Sequence, residues 1–91
     1  MKLKHQQVEH YIVNNISLLS SISLDREDES ILNHDIFNYG YVDSFGIISL
    51  IALIEDEYSI SIDNKYLDSD DIRTIKGLAS IVCRIRSIDN V

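Results

Sequence analysis

The chain has no proline, no tryptophan, three glycines and one cysteine among its 91 residues. Without proline, no position is barred from a helix interior by a missing N–H. With Cys83 as the only thiol, an internal disulfide is excluded and a reducing compartment is implied. Basic residues are scarce as well: 8 Lys and Arg against 15 Asp and Glu leave a formal net charge of −7. Such a surface repels nucleic-acid phosphates and anionic lipids and favours partners with basic docking surfaces, so no nucleic-acid partner is expected. No apolar stretch approaches membrane-spanning length, so no membrane insertion is expected. The first residues, Met1 to Gln7, carry charge but lack the apolar run of a signal peptide. The cytoplasm is the expected location.

Several kinds of chemistry lack their residues too. His5 and His10 are five apart and do not share a helix face, so metal-ligand spacing is missing. Asp63, Asp68, Asp70 and Asp71 lack the alternating order and the glycine of a calcium loop. There is no glycine-rich phosphate loop. No metal site and no catalytic activity of the chain's own are expected. Cys83 lies among Ile81, Val82 and Ile85 and reads as a small buried thiol.

What is present is an ordinary apolar fraction, 45%, mostly isoleucine and leucine. That composition suits a globular fold. The length suits a single domain over residues 1–91, expected as a monomer and burying ~60–65% of the surface its unfolded form exposes.

Val8, Tyr11, Ile12, Ile16 and Leu19 recur at helical spacing, with His5, Glu9, His10, Asn14 and Asn15 opposite. They predict an amphipathic helix from about Lys4 to Leu19. Ser20 to Asp43 is a long connection with a polar middle, Asp25 to Ser30, between apolar flanks. A structureless loop of that length is unusual, so a helical turn near Ser30–His34 is expected. Ser44 to Tyr58 is the second long helix. Its core stripe is Ile47, Leu50, Ile51, Ile54 and Tyr58; a second stripe, Phe45, Ile48 and Ala52, is more apolar surface than one buried face needs. Ser59 to Ile62 alternates like a strand but has no neighbour to pair with, so it reads as an extended linker. A short turn is expected over Asn64–Leu67. Thr74 reads as an N-cap of a last helix whose apolar face is Ile75, Leu78, Ala79, Val82, Ile85 and Ile88. The pattern predicts an all-α bundle.

The most informative stretch is Gly40-Tyr41-Val42-Asp43-Ser44-Phe45-Gly46. It sets a serine at the start of an apolar helix, where unpaired N–H groups and the positive helix end favour a phosphate. Taken alone, Asp43 and Ser44 read more simply as helix-capping residues. Tyr39 and Tyr41 flank Gly40 and are expected to pack the loop end.

These residues resemble the acyl carrier proteins, from the first helix to the last. The matching features are Asp43-Ser44-Phe45, an apolar helix closing in Glu55-Asp56-Glu57-Tyr58, the Ile60-Ser61-Ile62 linker and Thr74-Ile75. The resemblance implies a four-helix bundle with three main helices, one short helix and a long loop between helices 1 and 2. It implies that Ser44 carries a 4′-phosphopantetheine arm from coenzyme A, and that Asp43 lies beside the magnesium ion of a phosphopantetheinyl transferase. It implies a thioester-linked acyl or aminoacyl intermediate. A loading ligase, adenylating enzyme or acyltransferase, and a downstream transferase or synthase, are implied as further partners. Phe45, Ile48, Ala52, Glu55 and Asp56 are the implied partner surface. Carriers of fatty-acid synthesis usually have acidic residues at the positions of Gly46 and Ser49. Their absence brings the chain nearer the D-alanyl and peptidyl carriers, and a dedicated biosynthetic pathway is expected. The alternative is an unmodified acidic interaction module that docks a partner through Phe45 and Ile48.

Overall fold

The computed structural model describes residues 4–25 and 27–89, with side chains as far as residue 87. Arg26 and the side chain of Ile88, the latter expected on the last apolar face, lie outside the described residues. The described residues form α1 (His5–Ser20), α2 (Ser44–Tyr58), α3 (Asn64–Leu67) and α4 (Ile75–Asp89). Two 3-10 turns, Glu29–Asn33 and Asp70–Arg73, complete an all-α bundle, and no strand occurs among the described residues.

The core lies between α1, α2 and α4. Val8, Ile12, Val13 and Ile16 meet Ile47, Leu50 and Ile54 of α2 and Ile75, Leu78, Ile81, Val82 and Ile85 of α4. Each fully buried aliphatic side chain contributes about 1.5–3 kcal/mol. The connections add to this core. Ile31 anchors the first 3-10 turn and Ile36 the loop after it, while Ile60 and Ile62 turn the linker's alternating side inward. That alternation therefore serves burial rather than strand pairing.

On α1 the expected faces are partly exchanged. Glu9 was expected opposite the core but is buried, whereas Leu19, expected inside, is 41% exposed. Glu9 is covered because α1 packs against two helices, α4 and α2, so its buried surface is wider than one stripe, whereas Leu19 lies on the last turn of α1. Glu9 is accommodated because its carboxylate pairs with His5 Nδ1 at 3.1 Å, and His5 Nε2 lies 2.9 Å from Ser80 Oγ on α4. Cys83 is half-buried on α4, and burial, with Glu9 nearby, pushes its thiol pKa up. On the α2 side, Tyr11 donates a hydrogen bond to the Leu53 carbonyl at 3.1 Å and meets Tyr58 edge-on.

The long connection is tied down at Ile36. Its carbonyl accepts from the amides of Tyr41 and Val42, and its own amide donates to the Arg73 carbonyl at 2.7 Å. Asp35 accepts from Arg73 Nε at 2.7 Å and from the amides of Phe37 and Asn38. This chain of bonds holds Asp35's pKa below the usual carboxylate range, Arg73 being the main cause. The turn closes at Gly40, whose φ of +73° suits a residue without a Cβ. The connection thus ends in fixed geometry at the start of α2.

Candidate functional site

Asp43 is the N-cap of α2. Its backbone is extended, and its Oδ1 accepts from the Gly46 amide at 2.6 Å while its carbonyl accepts from Ile47 N at 3.0 Å. A cap of this kind contributes about 1 kcal/mol. No backbone carbonyl among the described residues accepts from the Ser44 or Phe45 amides, so the positive end of the helix stays open at its first turn. Ser44 is the first helical residue and is exposed. A primary alcohol there is accessible to a modifying enzyme, and a phosphodiester on it gains from the helix end.

Ser44 also lines a cleft of ≈ 710 Å³. The walls come from two separate stretches of the sequence: Leu19 and Ser20 at the end of α1, and Phe37 with residues 40–43 of the connection running on into Ser44, Phe45, Gly46 and Ser49 of α2. Asp43 is the one charged residue among these walls, and its carboxylate is engaged with Gly46. Ser20 Oγ donates to the Tyr41 carbonyl and so joins the end of α1 to the loop. The contributions of Leu19, Ser20 and Phe37 had no signal in the sequence, because their nearness to Ser44 depends on how the loop folds back.

The remaining site residues divide by exposure. Phe45 is 79% and Ile48 68% exposed, and Ala52 is also open, so the second apolar stripe of α2 faces outward. At the helix end Asp56 and Glu57 are exposed, but Glu55 is half-buried and its Oε2 accepts from the Ile62 amide at 2.7 Å. Glu55 therefore secures the linker after α2. Tyr41 and Tyr39 pack with His34: the His34 and Tyr39 rings stack at 4.1 Å, and His34 Nδ1 lies 3.0 Å from the Tyr41 hydroxyl. Burial raises the pKa of Tyr41, with Tyr39 and Asp28 adding to it. Among the described residues no group of His, Cys, Asp and Glu is placed to hold a metal ion, and no helix is long and apolar enough to cross a membrane.

A protein-family model described as "Phosphopantetheine attachment site" matches residues 20–82, from the last residue of α1 into α4. No curated protein and no solved structure matches the chain significantly. The matched span includes every lining residue of the cleft except Leu19, together with the capped start of α2 and its exposed serine. The chain belongs to the phosphopantetheine attachment-site family, whose members carry 4′-phosphopantetheine covalently.

Proposed function

We propose that this chain is a carrier domain in which Ser44 holds the 4′-phosphopantetheine arm as a phosphodiester. The observation that carries this reading is an exposed hydroxyl on the first residue of a capped helix, inside the family match and opening onto a cleft whose one charged wall residue is the cap itself, Asp43. The residues fit the group: the helix end favours the phosphate, and the other cleft walls bring no buried charge against the rest. The arm supplies a terminal thiol on which an acyl or aminoacyl group is held as a thioester.

The chain's own part is to tether and present. Covalent attachment gives the cargo a high effective concentration at whichever partner is docked, so the partners supply the chemistry. Phe45, Ile48 and Ala52 form the docking face for a phosphopantetheinyl transferase, a loading enzyme and a downstream transferase or synthase. Asp56 adds charge at its edge; Glu55 adds less because its carboxylate already serves Ile62. Asp43 stands next to the attachment atom, where the transferase's magnesium ion would act. The lack of acidic residues at Gly46 and Ser49 leaves the upper face of α2 apolar. That favours a D-alanyl- or peptidyl-type carrier in a dedicated pathway over a fatty-acid carrier.

The test is incubation of the purified protein with coenzyme A, magnesium and a promiscuous phosphopantetheinyl transferase, followed by intact mass and peptide mapping. The expected result is a gain of one phosphopantetheinyl group on the peptide that contains Ser44. A folded protein that gains nothing overturns the proposal. It would leave the second reading, which the exposure of Phe45 and Ile48 also favours: an unmodified module binding a partner through that stripe.

A further inference from the structure

The cleft beside Ser44 is larger than an attachment point requires, and the substituent on Ser44 is rooted in its wall. We propose that this cleft is the resting seat of the arm, with Leu19, Ser20 and Phe37 as its far wall; the inference rests on Ser44 being the attachment site. Its volume, ≈ 710 Å³, is in the range of pockets that enclose small organic ligands. Its lining suits a group that alternates methyl and methylene carbons with amides and a hydroxyl. Leu19, Phe37, Val42 and Phe45 offer apolar contact, and Ser49 offers a hydroxyl from the next turn of α2. The arm beyond its phosphate is neutral, and the one charged wall residue, Asp43, already has its carboxylate hydrogen-bonded to the Gly46 amide, so the seat holds no unpartnered charge.

The bundle interior is a poorer host. Ile12, Ile16, Leu50, Ile54 and Leu78 have at most 1% of their surface exposed, so entry there requires close-packed side chains to move. The external cleft requires no such movement. It is bounded by residues already held in place: Ser20 by the Tyr41 carbonyl, and Phe37 by Asp35 and the Arg73 guanidinium over its ring. Because the arm is covalently attached, weak contacts suffice to populate the seat.

Leu18 and Leu19 provide a neighbouring pair for the test. Both are exposed on the last turn of α1, but Leu19 lines the cleft and Leu18 does not. The holo protein is prepared in a Cys83→Ala background, so that the arm carries its one thiol. Two readouts follow: amide chemical-shift differences between apo and holo forms, and the rate of thiol alkylation by iodoacetamide relative to free pantetheine. The expected result is shifts at Leu19, Ser20 and Phe37 as well as near Ser44. Alkylation should be slowed, by about tenfold for an arm seated ~90% of the time. Leu19→Glu should restore the free rate and Leu18→Glu should leave the slow one. Shifts confined to residues 43–46, with the thiol as reactive as free pantetheine, overturn the seat while leaving the Ser44 assignment intact. If Leu19→Glu fails to fold, the shift map of the holo protein with Leu19 in place still decides the question. Absence of any modification at Ser44 overturns both.

Discussion

The starts of α2 and α4 are built from the same parts and end with opposite properties. Each has a capping side chain that accepts from an amide three residues on: Asp43 from Gly46 at 2.6 Å, and Thr74 from Gly77 at 2.9 Å. Each has glycine at that third position. At α4 the first helical residue, Ile75, is wholly buried, and the Asp70–Arg73 turn packs over the helix end. A Cβ on Gly77 would come within 2.8 Å of both Cα and the carbonyl carbon of Asp71. At α2 the first residue is the exposed Ser44, and a Cβ on Gly46 would meet nothing tighter than the Asp43 carboxylate at 3.2 Å. Capping chemistry therefore does not make a site. What lies above the cap decides whether a helix start is covered, as at Ile75, or leaves its first residue exposed, as at Ser44.

Exchanging the glycines should break this symmetry most visibly. Gly77→Ala should cost about 1–3 kcal/mol, because rigid backbone must move away. Gly46→Ala should stay within about 1 kcal/mol of the parent, since helix propensity gains and a side-chain carboxylate can give way. Urea unfolding of the two variants measures the difference, and equal losses would contradict the contrast. The caps themselves should be nearly equivalent. Thr74→Ala and Asp43→Ala should each cost about 1 kcal/mol, but only Asp43→Ala should also slow phosphopantetheinyl transfer, read by the time course of mass gain.

A smaller effect should appear in the pH dependence of the closed start. Asp35 holds Arg73, at the end of the turn that covers α4, and its folded pKa is lowered. A lowered pKa contributes stability above the unfolded value and loses it as pH falls through the folded one. Asp35→Asn should therefore lower the unfolding midpoint at neutral pH and flatten its decline in acid, below the usual carboxylate range. An unchanged acid limb would show that the pair contributes nothing. Smallest of all should be the stability change in Ser44→Ala, within about 0.5 kcal/mol, because one exposed hydroxyl is lost.

Much of this contrast was legible in the sequence. Thr74 and Asp43 read as caps because their side chains stand one residue before apolar runs of helical period. The limits of α2, and the turn over Asn64–Leu67, followed from the same patterns. The exchange of Glu9 and Leu19 on α1 was not legible, because a single apolar stripe cannot show that a helix has two packing partners. The Asp70–Arg73 turn gave no signal in a polar, aspartate-rich stretch, and with it the crowding at Gly77 stayed hidden. The cleft combines the end of α1, the loop near Phe37 and the start of α2, so its walls exist only once Ile36 has fixed the loop. The placing of Ser44 at the start of α2 was readable from the sequence; the surroundings of its hydroxyl were not.

The central claim is that the open helix start at Ser44 carries the modification and bears little of the fold. The most direct measurement is the intact mass of Ser44→Ala beside the parent after incubation with coenzyme A, magnesium and the transferase, with thermal unfolding of both. The expected result is one added phosphopantetheinyl group on the parent, none on the variant, and nearly coincident unfolding curves. A variant that still gains the group, or one that has lost its fold, would contradict it.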